Sequence, residues 1–154
     1  MEIKQLESQL IENKLMRTYE ETGLYEEAVD ELFNENNPEC INSLIKGFSD
    51  ATENEEVMFS NLHGIEYFSK TLGLETYIKI ILPKLKEMQV DAYGWAETFF
   101  LRLLNNDAAL DALIRNVEYL SQENKIFIRK MVENLSERNP ERFKNKGDII
   151  ISKL

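Results

Sequence analysis

The chain has 154 residues, 43% apolar and 10% aromatic, with 28 acidic against 18 basic side chains and a formal net charge of −10. That composition suits a globular chain with a real core, residues 1–154 as one domain, and argues against disorder. The charge disfavours a phosphate backbone and favours a cationic protein partner, and the lone Cys40 excludes an internal disulfide.

The charge is uneven along the chain. Residues 1–75 hold 17 acidic and 5 basic side chains, a net of −12, whereas residues 76–154 hold 11 and 13, a net of +2. The plain alternative to a partner-binding face is a solvated surface that keeps the chain soluble. The amino terminus, MEIKQLESQL, lacks the apolar core of a secretion signal, and no run approaches the ~20 apolar residues of a membrane span. The expectation is a cytoplasmic protein that binds neither nucleic acid nor membrane.

In chain order, residues 2–20 read as one amphipathic helix. It carries Ile3, Leu6 and Leu10, then Ile11, Leu15, Met16 and Tyr19, and ends over Glu20–Gly23. A second helix runs from Leu24 to Phe33 with Tyr25, Ala28, Val29, Leu32 and Phe33 inward and Glu26, Glu27, Asp30 and Glu31 outward. After a polar break, Pro38 behind Asn37 opens a helix to Phe48. An acidic turn, Ser49–Glu53, leads to a helix over 54–71. Asn54 caps it, Glu55 and Glu56 sit in its first turn, and Met58, Leu62, Ile65, Phe68 and Leu72 line its inner stripe. A neighbouring mixed stripe carries Phe59, His63, Tyr67 and Lys70.

The fifth helix begins at Leu74, and Pro83 predicts a kink or break near 79–83. Asp91 is expected to cap the next, AYGWAETFFLRLLN, which is apolar around nearly its whole circumference and therefore buried, Trp95 included. Residues 107–120 form a clean amphipathic helix, Ser121 caps another, and Asn139-Pro140 opens a short turn containing Phe143. The tail, with consecutive Ile149, Ile150 and Ile151, reads as helix because no second strand candidate exists to pair with it. The fold expected is all-α. About nine helices pack as successive antiparallel hairpins in an irregular HEAT-like α-solenoid, with a compact multi-helix bundle as the alternative.

No catalytic constellation is visible. One histidine cannot build a histidine metal cluster, and no phosphate-cradling glycine loop or nucleophile elbow occurs. Asp50, Thr52, Asn54 and Glu56 superficially resemble a calcium loop but lack its turn glycine and its closing glutamate. No cofactor or metal is expected. Phe59, His63 and Tyr67 are the one candidate pocket lining. The structural alternative packs His63 against the next helix with a ring nitrogen bonded to a backbone carbonyl.

The run LIKGFSDATENEEVMFSNLHGIEYF over 44–68, then IILPKL, then GWAETFFLRLLNN, is similar to the immunity protein 30 family of bacterial polymorphic toxin systems. The similar elements cover roughly residues 40–110, with the histidine-containing block and the tryptophan helix as their specific combination. The resemblance implies a non-enzymatic protein, encoded beside a toxin, that binds and neutralises it. It assigns no toxin-contacting residues. Gly64 stands out in the matched helix, where it costs up to ~1 kcal/mol relative to alanine unless a neighbour approaches closely.

From the residues, the expected partner-facing surface is Asp50, Glu53, Glu55 and Glu56 with Glu26, Glu27, Asp30 and Glu31. These carboxylates would complement a cationic toxin domain such as a nuclease. The rival readings are a helical-repeat scaffold for an endogenous partner and a small enzyme or ligand-binding protein with a polar pocket at His63.

Overall fold

In the computed structural model, which describes residues 1–154, the first departure from the sequence pattern comes at Met16. Helix α1 spans Ile3–Asn13 and α2 spans Tyr19–Asn34, so the single helix expected over 2–20 is interrupted. Met16 adopts the left-handed region (φ 47°) with its side chain buried. Thr18 then caps α2, its Oγ1 accepting the Glu21 N–H at 3.1 Å, and Glu21 pairs with Arg17. Because α2 begins at this cap and not at Leu24, Tyr19 stands 97% exposed instead of joining an apolar stripe.

Helix α3 is only Cys40–Ile45, shorter than the pattern over 38–48 suggested. The chain leaves it at Gly47, where a Cβ would lie 2.5 Å from a Leu10 methyl of α1. Helix α4 spans Glu55–Leu72 behind the Asn54 cap, as expected, and Gly73 (φ 87°) turns the chain into α5, Leu74–Leu85. Of the kink or break expected near 79–83, a break does not occur: α5 runs through Pro83 to Leu85 before a 3-10 turn at Lys86–Met88. The physical reason is position. Pro83 forfeits a single bond, to the Lys79 carbonyl, and Lys79 lines the same open cleft as Pro83, where water can reach.

Helices α6 (Tyr93–Leu104), α7 (Asp107–Asn116) and α8 (Gln122–Arg138) follow, the last two capped by Asn106 and Ser121. A 3-10 turn at Val117–Tyr119 ends the stretch read as one helix over 107–120. Asp91 does not cap α6. Ala92 occupies that position, and Asp91 pairs with Lys14 instead. The short turn expected at Pro140 is the start of a full helix, α9, Pro140–Lys153, with Asn139 as its cap. The three isoleucines lie on it, Ile150 buried and Ile149 exposed, as a helix and not a strand requires.

The fold is all-α, nine helices without a strand. Forty buried apolar residues, from Leu6 to Ile150, form one continuous cluster. Alternate helices are side-by-side neighbours with a recurring offset. Glu7 meets Ser43, Asn61 meets Tyr25 and Arg102 meets Glu66, each pair 36 residues apart. Phe59 meets Trp95 in the same register. These contacts run in the same sense along each pair, so α2, α4 and α6 lie in one layer with parallel directions.

Candidate functional site

The layer of α2, α4 and α6, with the 49–53 turn that precedes α4, carries the residues that the sequence singled out as candidate site. Its inner side is polar where the helices meet. Asn61 of α4, fully buried, donates through Nδ2 to the Tyr25 hydroxyl at 3.0 Å and to the Leu44 carbonyl at 3.2 Å. Tyr25 in turn donates to the Gly47 carbonyl at 2.7 Å, and Asn61 Oδ1 has no partner. Burial pushes the Tyr25 phenol well above its usual range, so it is a permanent hydrogen-bond donor. The network fixes the level at which α2 and α4 run past one another.

Above that level α2 and α4 touch. Phe33 packs where a Gly64 Cβ would stand, 2.1 Å from the ring's Cζ, and also lies against Phe68. Gly64 therefore admits another helix's side chain, which accounts for its place in the middle of α4. On the other side Phe59 meets Trp95 edge-on at 4.8 Å, and Arg102 donates to Glu66 at 2.6 Å. The Glu66 bond raises the Arg102 pKa further. Trp95 is 7% exposed, in the core as expected, and its Nε1 donates to the Ser49 carbonyl at 3.0 Å.

The eight predicted acidic residues fall into three groups. Asp50 lies at the start of α6 and substitutes for the missing cap. Its carboxylate accepts the Gly94 N–H at 2.9 Å and the Trp95 N–H at 3.3 Å, and a Cβ on Gly94 would crowd it. Sequence reasoning missed this role because the acceptor comes from a turn 44 residues away. Glu53, Glu55 and Glu56 are exposed at the start of α4, and Glu53 donates its backbone N–H to the Leu15 carbonyl. On α2, Glu26 and Asp30 share a row with Phe33 by helical spacing and so border α4. Glu27 and Glu31 lie one row over, with Leu24, whose carbonyl accepts from Gln9 of α1.

None of the ten ion pairs uses any of these eight carboxylates. Glu7, Glu21, Glu66, Glu75 and Glu97 elsewhere are all matched to cations. From Tyr19 to Ser60 there are twelve acidic residues and one basic residue, Lys46, and Lys46 is taken by Glu7. The field on this side is uncompensated.

Phe59, His63 and Tyr67 share one outward stripe of α4. Phe59 is 36% and Tyr67 63% exposed, and His63, also exposed, stacks on Phe59 with centroids 6.0 Å apart. The expected bond from His63 to a backbone carbonyl is not formed. Its Nδ1 lies 3.5 Å from Glu66 Oε1 instead, because Gly64 and not His63 is the position at which α2 meets α4. The clefts of about 240–610 Å³ open elsewhere, between α5 and the 117–121 turn, along α8, on α1 beside Leu24, and between α1, α3 and residues 87–92, and none of them is lined by Phe59, His63 or Tyr67. No three His, Cys, Asp or Glu side chains converge to hold a metal ion, and no helix is long and apolar enough to cross a membrane. Cys40 is buried, and burial raises its thiol pKa.

The family model described as Immunity protein 30 matches residues 12–113, from the end of α1 to most of α7. No curated protein and no solved structure matches the chain. Helices α8 and α9 lie outside the family match.

Proposed function

From the premise that the chain belongs to the immunity protein 30 family, we propose that it binds and neutralises a cognate toxin as a non-catalytic partner, through the acidic side of its α2–α4 layer. Family membership supplies the immunity role. The observation that carries the surface is the density of unpaired carboxylates at Glu26, Glu27, Asp30, Glu31, Glu53, Glu55 and Glu56 in a stretch, Tyr19 to Ser60, whose one basic residue, Lys46, is taken by Glu7. Leaving so many like charges unmatched destabilises the free protein slightly, and a cationic partner relieves it. A toxin domain that acts on nucleic acid is cationic where it meets phosphate, and that surface is the natural complement. Asp50 belongs to the fold in this reading, since its carboxylate is committed to α6.

The recurring offset of 36 residues between neighbouring helices supports a HEAT-like stack working as one unit over residues 1–154 in the cytoplasm. In such a stack one layer offers a broad face with side chains on rigid helices. That face binds a folded domain without a deep pocket.

The test is co-purification of the tagged chain with the products of its adjacent genes, at about 50 mM and about 500 mM salt, a span over which the Debye length shrinks severalfold. A stoichiometric toxin domain recovered at low salt and weakened at high salt is expected. Recovery of an unrelated house-keeping protein in its place assigns the chain to the scaffold class and overturns the immunity reading.

A further inference from the structure

We infer that the outward stripe of α4, His63 and Tyr67 with the edge of Phe59, is the anchor of the toxin interface, and that the partner it takes is a folded protein presenting aromatic or apolar side chains ringed by Lys and Arg. The inference rests on the immunity reading and locates its energetic centre. Three observations on the stripe converge.

Its composition is unlike that of a solvated helix face. Two aromatic rings and the chain's one imidazole stand outward at i, i+4 and i+8, with Tyr67 63% exposed. Side chains of this kind bring large contact area at small rotamer cost, and they dominate the centres of protein interfaces. The stripe is also rigid. Phe59 is held edge-on by Trp95, His63 stacks on Phe59, and Phe33 seated at Gly64 fixes the helix from the other side. A preorganised anchor loses little freedom on binding.

The charge around the stripe is polarised. Glu26 and Asp30 flank it from α2, and Glu55 and Glu56 close its amino-terminal end. The local cations lie toward the other end, Lys70 over the Tyr67 ring at 5.3 Å and Arg102 bound to Glu66. That Lys70 position shows the Tyr67 ring face accepting a cation. A partner's basic side chains therefore settle over Glu26, Asp30, Glu55 and Glu56, and its apolar patch covers His63 and Tyr67. The acidic residues govern the approach and the aromatic residues govern the residence time.

The experiment measures binding of the wild-type chain and its variants to the purified, catalytically disabled toxin domain encoded beside the gene. Tyr67→Ala and His63→Ala are both exposed changes, and circular dichroism melts check that they leave the fold intact. Phe59 is left untouched because it supports Trp95. Tyr67→Ala is expected to weaken the complex about 30-fold, the ~2 kcal/mol of an interface anchor, almost wholly through faster dissociation. Glu26→Lys with Asp30→Lys should slow association about 10-fold at low salt, with the difference closing at high salt.

A double reversal far from the stripe, Glu118→Lys with Glu141→Lys, changes the net charge equally and should leave both rates within about 2-fold. A wild-type complex that tolerates Tyr67→Ala and the Glu26/Asp30 reversal without change overturns this inference and leaves the immunity function standing. Failure of the wild type to bind the toxin overturns both. A wild-type chain that sediments as a dimer, and that Tyr67→Ala converts to monomer, assigns the stripe to a second copy of the chain and also overturns it.

Discussion

Asp50→Ala separates a structural carboxylate from the neighbouring ones proposed to face the partner. Asp50 is exposed, yet its two oxygens accept the Gly94 and Trp95 N–H groups, at 2.9 and 3.3 Å, from another element. These are first-turn amides of α6, whose own cap position, Ala92, offers no side-chain acceptor. Removing such an acceptor costs about 0.5–2 kcal/mol by analogy with in-chain caps. The negative charge at the helix start accounts for about 0.3–1 kcal/mol within that figure. A loss of about 1–2 kcal/mol is therefore expected for Asp50→Ala, because the change also unties the 49–53 turn from α6. Asp50→Asn keeps one oxygen acceptor and loses the charge and the second acceptor, so its loss should be smaller than that of Asp50→Ala. For a chain this long each kcal/mol moves Tm by about 2–4 °C, so Asp50→Ala should melt about 2–8 °C below wild type, with Asp50→Asn between them. Thermal and urea unfolding followed by far-ultraviolet circular dichroism provide the assay. Glu26→Gln, exposed and unpaired, is the control and should stay within about 0.5 kcal/mol. An Asp50→Ala protein that unfolds together with wild type and the control refutes the assignment of Asp50 to the fold.

Gly64→Ala places a methyl 2.1 Å from the Phe33 ring. Overpacking of about 1–3 kcal/mol exceeds the helix-propensity gain of up to about 1 kcal/mol, so the variant should lose stability, and Phe33→Leu should restore part of it in a double-mutant cycle read by urea. Tyr25→Phe strands the buried Gly47 carbonyl and one Asn61 N–H, with an expected loss of about 1–3 kcal/mol in the same assay. Glu75 is held below its ordinary pKa of 4.5 by hydrogen bonds from Asn116 and then from Arg115. A carboxyl with a depressed folded pKa binds fewer protons folded than unfolded. Its stabilisation is therefore complete above about pH 4.5 and is lost as the pH falls through the folded value. Glu75→Gln should flatten the acid limb of a stability–pH curve measured by urea midpoints between pH 6 and about pH 3. Unchanged curvature in that window would count against the Asn116 and Arg115 contacts.

The all-α class, the central helix behind Asn54, the cap at Ser121 and the burial of Trp95 were legible because each follows from local periodicity or a local cap. The start of α2 was also legible in principle. Thr18 followed three residues later by Glu21 is a capping signature, but the spaced apolar residues Ile11, Leu15, Met16 and Tyr19 masked it, and only the buried left-handed Met16 shows where the chain turns. The consecutive isoleucines of α9 are ambiguous in isolation. What settles them is Gly147, which brings α9 against Ser136 and Val132 of α8, a contact no local pattern encodes. At the candidate surface the individual acidic and aromatic residues were visible. Their sorting was not. That Asp50 is committed to α6 depends on a turn 44 residues away, and that Glu26 and Asp30 rather than Glu27 and Glu31 lie on the α4 side, with His63 exposed, depends on how neighbouring helices register at an offset of 36 residues.

The most direct measurement is survival of cells induced to make the toxin encoded beside this gene, with the chain co-produced as wild type or as the Tyr67→Ala/Glu26→Lys/Asp30→Lys variant. Wild type should restore growth, and the folded triple variant, present at equal level, should fail to protect. Cells that die despite abundant wild-type chain contradict immunity as the function. Equal protection by the triple variant contradicts the α2–α4 face as the surface that delivers it.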